Sequence, residues 1–453
     1  MNISPGRVRP QSPLRIAVIG SGISGLSAAW LLSRRHCVTL YEAERRLGGH
    51  SHTVDAHGVA VDTGFIVYNE KTYPNLTALF THLNVVTKDA DMSFAVSLDG
   101  GRLEYSGDGL TGLFAQKRNL ASPRFYGMLR DLVRFYREAP RQIAAADGMT
   151  LSAYLDAGGY GAAFRDDHLF PMAAAIWSTP SARIGDYPAA SFIRFFTNHG
   201  LLQLTKRPLW RTVDGGSRSY VTRMVDDMDA TIIHSDPVVR VQRAEGRACV
   251  HVKSGEQRSY DHVILATHAD QALSLLSDPS EPEERLLGAF GYTTNEAVLH
   301  SDPAFMPRRQ AAWAAWNYLS EGRGQDRKLS MTYWMNALQS LPHRHPLFVT
   351  LNPARPVAPE RVIRREVYEH PVFNLPAVAA QQRLWSLQGQ RNTWFCGAYF
   401  GAGFHEDGLQ AGLAVAEALG GVRRPWTVAE ESGRIHLGTP VPVDMPADLE
   451  LVS

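Results

Sequence analysis

Hydrophobic and polar positions alternate along this chain in two ways, and each predicts a different kind of structure. Short apolar runs bounded by glycine or polar turns predict buried strands at 16–19, 37–41, 231–234 and 260–266. Apolar residues at helical spacing predict helices at 76–83, 125–143 and 151–155. Because the strand-rich segments lie on both sides of the helical ones, we predict an α/β domain that the chain leaves and re-enters, with a second, α+β domain between.

The segment 16–25, IAVIGSGISG, is typical of a strand, a tight turn and the start of a helix. Gly20, Gly22 and Gly25 have the spacing G-x-G-x-x-G. The first glycine permits the turn, the second lets the backbone approach a pyrophosphate, and the third allows close helix–strand packing. The helix N-terminus favours the phosphate charge. The next strand ends at Glu42, where a carboxylate is expected to bind a ribose hydroxyl. The segment therefore predicts a Rossmann-type dinucleotide site.

Two more glycine-rich segments bear on which dinucleotide binds. Residues 42–53, EAERRLGGHSHT, carry a second glycine pair that a nicotinamide-binding unit does not need. Residues 394–412, WFCGAYFGAGFHEDGLQAG, predict a strand, a glycine-rich loop and a helix beginning near Asp407. Asp407 is a plain N-cap in one interpretation. Both segments resemble flavoenzymes of the amine oxidase and phytoene desaturase class, which implies FAD and a helix N-terminus aimed at the flavin N1–C2=O edge.

The resemblance covers about residues 14–419 and narrows to a predicted NAD/FAD-binding protein family. It is carried by segments such as YEAERRLGGHSHTV, DTGFIVYNEKTYPNL, PMAAAIWSTP and MTYWMNALQ. That family is similar to the flavin domain at the N-terminus of plant cyclopropane fatty acid synthases, and bacterial members resemble partners of fatty-acid methyltransferases. The resemblance implies an FAD-dependent oxidoreductase with a lipophilic substrate and a fatty-acid methyltransferase as a partner.

Residue by residue, the resemblance implies a non-covalent FAD site. Its residues are Gly20, Gly22, Ile23, Ser24, Gly25, Glu42, Ala43, Arg46, Gly48, Gly49, His50, Gly64, Phe65, Ile66, Val238, Gly397, Phe404, His405, Glu406, Asp407 and Gly408. Two of them depart from the amine oxidases. His50 stands where those enzymes usually have arginine, and Phe404 falls where they often have an aromatic residue of the cage around the amine. A phenyl ring packs equally well against alkyl chains.

Few side chains are candidates for chemistry or for substrate contact. His405, Glu406 and Phe404 are the catalytic candidates, the alternative being backbone contact with the cofactor only. Pocket-wall candidates are Trp177, Trp316, Tyr333 and Trp334, although most such residues simply pack in cores. Cys396 lies in the strand before the glycine-rich loop, which favours non-covalent FAD over a thioether. The histidines at 50, 52 and 57 are interpreted as hydrogen-bond donors or surface residues, so no metal is predicted.

The predicted FAD-binding domain comprises 14–75, 206–272 and 390–420. The substrate domain comprises 76–205 and 273–389. The tail, 421–453, is rich in proline and acid and is expected to wrap the surface or be disordered.

Composition restricts the possible partners and location. The formal net charge is +1, and no basic stripe interleaved with aromatic residues suggests nucleic acid. We find neither an apolar run of ~18 residues nor a basic amphipathic helix of the interfacial kind, so at most peripheral membrane contact is expected. Three distant cysteines, with no apolar signal segment at the N-terminus, favour the cytoplasm.

We therefore expect an enzyme that oxidises or desaturates a lipophilic, fatty-acyl type substrate by hydride transfer to flavin N5. One alternative is a flavin amine oxidase that releases hydrogen peroxide. Another is a non-catalytic flavoprotein partner of a fatty-acid methyltransferase.

Overall fold

The structure is a computed structural model that describes residues 12–177, 184–198, 200–203, 208–321 and 328–438. Its strands, numbered in chain order, are β1 Arg15–Ile19, β2 Cys37–Glu42, β3 Thr53–Ala56, β4 Val59–Asp62, β5 Tyr68–Asn69, β6 Thr87–Ala90, β7 Phe94–Leu98, β8 Leu103–Ser106, β9 Trp210–Val213, β10 Ala230–His234, β11 Val238–Ala244, β12 Arg247–Val252, β13 Gln257–Tyr260, β14 His262–Leu265, β15 Gly291–His300, β16 Trp316–Glu321, β17 Lys328–Trp334, β18 Phe348–Leu351, β19 Val362–Val372 and β20 Thr393–Phe395.

Helices of the described residues are numbered in the same way. They are α1 Ile23–Leu32, α2 Pro74–His82, α3 Gly109–Leu113, α4 Pro123–Glu138, α5 Leu151–Ala157, α6 Ala162–Phe164, α7 Phe170–Trp177, α8 Ala189–Asn198, α9 Arg218–Asp226, α10 Ala269–Leu275, α11 Glu281–Leu287, α12 Met335–Leu338, α13 Leu375–Gln381 and α14 His405–Gly420.

The first of two compact units contains the described residues of 12–49, 221–291 and 376–438. At its centre is a parallel five-stranded sheet in the order β10-β2-β1-β14-β20. Its central strands are continuous apolar runs, as expected for parallel strands covered on both faces. A separate antiparallel sheet is formed by β11, β12 and β13. The predicted α/β class is confirmed.

The second unit contains the described residues of 50–220 and 292–375. Its main sheet has the order β19-β15-β18-β17-β16-β7-β8. The pair β16–β7 is parallel, whereas β16–β17, β17–β18 and β7–β8 are antiparallel. One large hydrophobic core joins this sheet to α4, α5, α7 and α8. The helix predicted to continue to 143 ends at Glu138, because Pro140 lacks the N–H group that another helical turn requires.

The units defined by packing divide the chain at other positions than the predicted domains. Residues 50–66 group with the second unit because the buried carboxylate of Asp62 joins three segments. It accepts hydrogen bonds from Thr53 Oγ1 at 2.6 Å, Ser217 N at 2.9 Å and Gln339 Nε2 at 2.7 Å. Burial nevertheless raises the pKa of Asp62 to about 6. Packing alone does not say which residues contact a cofactor, so the domain boundaries stay a prediction.

Part of the predicted tail has a defined place in the first unit. Residues 421–438 pack on α14 through two ion pairs, Arg424 with Glu417 and Arg434 with Asp407. Residues 439–453 lie outside the described residues. Within the described ranges, no helix is long and apolar enough to cross a membrane.

Candidate cofactor and active site

The turn between β1 and α1 is shaped by contacts that only glycine permits. Gly20 has φ +101°, and its N–H donates to Tyr41 O at 2.8 Å. A Cβ on Gly25 would lie 1.9 Å from Gly20 O, whereas a Cβ on Gly22 would meet no atom within 4 Å. Gly25 is therefore required by the protein's own packing. The space beside Gly22 is open, as expected for a backbone that a pyrophosphate approaches.

Glu42 lies at the end of β2, next to this turn. Its Oε2 accepts hydrogen bonds from Ser21 N at 2.9 Å and Ser21 Oγ at 2.5 Å, and its Oε1 accepts one from Glu44 N at 2.9 Å. A carboxylate offers about four acceptor positions. The geometry therefore holds the side chain in one orientation and leaves capacity for a ribose hydroxyl.

The second glycine pair lies against the first turn. Gly48 N donates to Ser21 O at 3.0 Å, and a Cβ on Gly49 would lie 3.0 Å from Gly22 Cα. Arg46 Nη1 fixes the segment by donating to Gly49 O at 2.6 Å. The turn at 20–22, which follows β1, and the turn at 48–49, which comes after β2, thus meet around Gly22. Of the other predicted contacts here, Ala43 is exposed and Ile23 and Ser24 are buried at the start of α1.

The start of α14 lies beside the start of α1. A Cβ on Gly408 would lie 2.9 Å from Ile23 Cγ2, and one on Gly412 would lie 2.1 Å from Ser24 O. These close approaches bring two helix N-termini together, and both favour negative charge. The first unit therefore fits the anionic pyrophosphate of FAD through backbone N–H groups. Val238, another predicted FAD contact, lies at the start of β11.

Asp407 is not the N-cap of α14. The helix begins at His405, and the carboxylate of Asp407 reaches back to accept the Phe404 N–H at 2.7 Å. Arg434 binds the same carboxylate through Nε at 2.6 Å and Nη2 at 3.2 Å. Asp407 is fully buried, and burial raises its pKa, which the Arg434 charge counters. The glycine-rich loop is held further by Gln381, whose amide donates to Tyr399 O and Gly401 O.

The catalytic candidates lie at the same helix start. Phe404 and His405 are half-buried, whereas Glu406 is fully buried and accepts a hydrogen bond from Gln410 Nε2 at 3.0 Å. Glu406 is thus engaged within its own helix. Gly397 precedes the loop in an extended conformation. Burial raises the pKa of the neighbouring Cys396 thiol to about 12, so this sulfur is held in the unreactive thiol form.

The remaining predicted flavin contacts lie in the second unit. A Cβ on Gly64 would lie 2.0 Å from His50 O, and Phe65 N donates to the same oxygen at 2.8 Å. Ile66 O accepts a hydrogen bond from Thr212 Oγ1 at 2.8 Å. His50 is thus in backbone contact with Gly64 and Phe65, and the flavin contacts of these residues stay a prediction.

Sequence reasoning missed a polar group built around His50. We call it the His–Tyr cluster, and its members are His50, His52, Thr63, Glu366, Tyr368 and His370. The Tyr368 hydroxyl lies 2.7 Å from Thr63 Oγ1 and 3.2 Å from His52 Nδ1. His52 Nδ1 lies 3.7 Å from Glu366 Oε1. The His50 ring contacts the rings of Tyr368 at 5.2 Å and His370 at 5.6 Å. No spacing in the sequence signals this group.

The pocket-wall candidates do not form one surface. Trp316 and Tyr333 are paired across β16 and β17 with ring centroids 4.7 Å apart. Trp334 follows Tyr333 and therefore points to the other face of the sheet. There it contacts Trp313 at 5.4 Å. Trp177 ends α7, and its side chain lies outside what the structure describes.

Comparison with known proteins agrees with this geometry. Residues 23–351 match the family of flavin-containing amine oxidoreductases, and the chain belongs to this family. Hydroxyneurosporene desaturase of Cereibacter sphaeroides is 24% identical over 351 residues, which are 68% of this chain and 64% of the desaturase. The match thus spans slightly less than two thirds of that enzyme. The FAD-dependent oxidoreductase class and the FAD cofactor predicted from the sequence are confirmed.

Two solved structures share the fold. The fatty acid isomerase of P. acnes that produces CLA matches with a TM-score of 0.64 and 14% identity, over 90% of this chain and 98% of that chain. A redesigned putrescine oxidase matches with a TM-score of 0.64 and 15% identity, over 90% of this chain and 98% of that chain. At these identities the likeness concerns the fold and leaves the substrate open.

Proposed function

We propose that this protein oxidises or desaturates a lipophilic, fatty-acyl type substrate with non-covalently bound FAD. The observation that carries the proposal is that the buried carboxylates of the second unit already have hydrogen-bond partners. Among its described residues there are four, Asp62, Glu104, Asp131 and Asp167. Each already accepts hydrogen bonds from protein donors.

The contacts of these carboxylates are short and specific. Glu104 accepts from Ser97 Oγ at 3.0 Å and from Arg309 Nη1 at 2.6 Å. Asp167 accepts from Arg124 Nε at 2.7 Å, and Asp131 accepts from Gly161 N at 2.8 Å. The contacts of Asp62 are given above. A buried ammonium requires a charge partner. A substrate without charge at its reacting end needs none.

The apolar composition of the second unit supports the same proposal. Its core is rich in aromatic side chains, and Trp316 and Tyr333 pack edge to face within it. Such rings contribute large apolar contact areas. The relation to hydroxyneurosporene desaturase, a protein named as a desaturase, supports the proposed reaction. The resemblance to the flavin domain of cyclopropane fatty acid synthases supports it as well.

FAD, when bound, supplies the two-electron acceptor for the hydride. Desaturation breaks a second C–H bond and releases a proton, for which the chain offers a holder. In the His–Tyr cluster, His52 Nδ1 lies between the Tyr368 hydroxyl and Glu366 Oε1. We assign His52 the role of holding this proton, with Tyr368 as a positioning residue. Cys396, held as a thiol, supports non-covalent binding of the cofactor.

Anaerobic spectroscopy of the purified holoprotein tests the proposal. The oxidised-flavin absorbance band is followed while free fatty acids, acyl thioesters and phospholipid vesicles are added in turn, and then a panel of amines. We expect an acyl compound to bleach the band. Bleaching by amines alone, with hydrogen peroxide released on admission of air, would establish the amine oxidase instead.

A third outcome concerns the non-catalytic alternative. If neither acyl compounds nor amines bleach the flavin, and the holoprotein captures a fatty-acid methyltransferase, the protein is a flavoprotein partner and the proposal fails. The Gly22→Ala variant, which we expect to fold and to bind FAD at least about tenfold more weakly, gives the absorbance of each addition at reduced flavin occupancy.

A further inference from the structure

One surface of the second unit combines positive charge with exposed apolar side chains. It is formed by residues 109–130, which we call the basic–apolar segment. This segment contains the cations Lys117, Arg118, Arg124 and Arg130 and no Asp or Glu. Within it, Leu110 is 74% exposed, Leu120 is 55% exposed and Tyr126 is 47% exposed. These are three of the few large apolar side chains that the described part of the chain exposes so widely.

Contacts within the segment make it one continuous surface. It runs through α3, a 3₁₀ turn at Lys117–Ala121 and the first half of α4. The Tyr126 hydroxyl donates to Leu120 O at 3.0 Å, and the rings of Phe114 and Phe125 lie 6.0 Å apart. The exposed leucines, the cations and the start of α4 are thereby held together.

The surface continues along α4. A shallow groove is lined by Tyr126, Leu129, Arg130, Val133, Arg134, Arg137 and Glu138. These positions follow the helical period of one face. Apolar side chains line its floor, and the long arginine stems can cover apolar surface while their heads stay in a polar layer.

This helix face differs from the sequence expectation of no basic amphipathic helix. Phe125, Met128 and Phe135 are buried in the core, and Leu129 packs partly against it. Tyr126, by contrast, is exposed.

Two of the four cations of the segment have ion-pair partners among the described residues. Among the described residues, neither Lys117 nor Arg118 forms an ion pair. Arg124 pairs with the buried Asp167, while Arg130 is paired with its neighbour Asp131 yet keeps a side chain that is 76% exposed. A surface with free cations beside protruding leucines and a tyrosine fits a layer of anionic headgroups above acyl chains.

We propose that the basic–apolar segment docks this protein on an anionic phospholipid bilayer. Lys117 and Arg118 contact the headgroups, and Leu110, Leu120 and Tyr126 enter the boundary between headgroups and acyl chains. Docking of this kind would serve the proposed lipophilic substrate. The docking proposal is argued from the surface residues alone, however, and does not depend on catalytic turnover.

Flotation of the full-length holoprotein with vesicles tests the docking. Vesicles of phosphatidylcholine alone are compared with vesicles containing 30% phosphatidylglycerol, about the anionic fraction that gives a bilayer a strongly negative surface. We expect binding to the anionic vesicles, weak binding to the neutral ones, and a loss of binding at high salt because screening shortens the reach of the charges. Equal binding to both vesicles, or none to either, would overturn the proposal.

Two variants separate the charged from the apolar contribution. Lys117→Glu with Arg118→Glu is expected to weaken partitioning into anionic vesicles by about 30-fold or more. Leu110→Ser with Leu120→Ser is expected to weaken it by at least about tenfold. Lys253→Glu with Arg344→Glu makes the same charge change at exposed positions outside the segment and should leave partitioning unchanged. An equal loss in this control would show that net charge, and not this surface, governs binding.

Circular dichroism and the flavin spectrum establish that each variant is folded and holds its cofactor. Should the segment bind an acidic protein such as a methyltransferase and no vesicle, the surface is a protein interface and the proposal is wrong. Because flotation needs no catalysis, bleaching of the flavin by a dispersed acyl lipid without vesicle binding would reject docking and leave the proposed function in place.

Discussion

The glycine turns of the first unit and the His–Tyr cluster of the second unit are built in opposite ways. The turns act through backbone groups, and their geometry depends on glycines, which have no Cβ atom. A Cβ at Gly25 would overlap Gly20 O, and a Cβ at Gly22 would fill open space. The cluster acts through side chains from 50–63 and 366–370 whose polar atoms meet at the Tyr368 hydroxyl.

This difference determines how each region tolerates change. A backbone cradle presents several N–H groups at fixed positions, so one added methyl group affects all of them. A side-chain cluster distributes its hydrogen bonds, each of which contributes about 1 kcal/mol net. We therefore expect glycine substitutions in the first unit to have large effects and single hydroxyl deletions in the cluster to have small ones.

The largest effect is expected for Gly25→Ala. Its Cβ would lie 1.9 Å from Gly20 O and 3.1 Å from Ala266 Cβ, and neither neighbour can move without shifting strand or turn backbone. We expect a loss of about 3 kcal/mol or more in the free energy of unfolding of the apoprotein, together with loss of FAD. Urea unfolding and FAD titration measure the two quantities.

Gly22→Ala is the matched variant that separates packing from cofactor space. Since its Cβ meets no protein atom within 4 Å, the apoprotein should unfold within about 0.5 kcal/mol of the parent. FAD should bind at least about tenfold more weakly, because the methyl group occupies the approach of the pyrophosphate. Normal FAD affinity in this variant would show that the pyrophosphate lies elsewhere.

The next effect tests a side-chain contact within the first unit. Arg434→Gln leaves the buried Asp407 carboxylate without its charge partner, and breaking a buried pair in this way costs about 3 kcal/mol. The variant should unfold at correspondingly lower urea concentration. Arg423→Gln is the control, because Arg423 is 57% exposed and exposed pairs contribute less than about 1 kcal/mol. Equal losses in both variants would contradict the special role of Arg434.

A smaller effect is expected from pH acting on the second unit. Burial lowers the pKa of His300 to about 4 from its usual 6.5, and its Nε2 lies 2.7 Å from Thr350 Oγ1. The unfolded chain therefore binds the proton more tightly than the folded one. Stability is fully present above pH 6.5 and falls as the pH drops from 6.5 towards 4. Between pH 7 and pH 5 the loss should be about 2 kcal/mol.

His300→Asn isolates this contribution. The asparagine Oδ1 can accept the Asp302 N–H that His300 Nδ1 accepts at 3.1 Å, and it does not titrate in this range. Between pH 7 and pH 5, the unfolding free energy of this variant should fall by about 2 kcal/mol less than that of the parent. The exposed His345→Asn should retain the parent's slope. If all three proteins share one slope, His300 is not the titrating group.

The sequence predicts the backbone turns of the first unit but not the side-chain cluster of the second unit. Gly20, Gly22, Gly25 and Glu42 were predictable because strand, turn, helix and acid are adjacent in the chain and their spacing has a steric cause. The His–Tyr cluster was not, because His52 and Tyr368 are 316 positions apart and a lone tyrosine in a strand carries no signal. The family resemblance implied the flavin contacts of His50 and residues 64–66, yet it named none of their partners on β19.

The aromatic residues show a different reason for the limit. Tyr333 and Trp334 were grouped as aromatic candidates for the pocket wall, but alternation along a strand puts them on opposite faces. Separating them required knowing that 328–334 is a strand with Trp316 opposite Tyr333. The N-cap interpretation of Asp407 was wrong as well, because the N-cap is Phe404, whose N–H the Asp407 carboxylate accepts.

The smallest expected effect is that of Tyr368→Phe, which removes the hydroxyl shared by Thr63 and His52. If Tyr368 positions His52, kcat/KM for the bleaching substrate should fall about fivefold, the equivalent of one hydrogen bond, and the acidic limb of its pH profile should shift because His52 Nδ1 loses the hydroxyl that lies 3.2 Å away. Tyr154→Phe, which deletes a hydroxyl bonded to Gln142 in the same unit, should change neither quantity. A uniform fall in rate at every pH would mean that Tyr368 merely supports the fold, whereas a shifted limb would assign proton chemistry to the His–Tyr cluster.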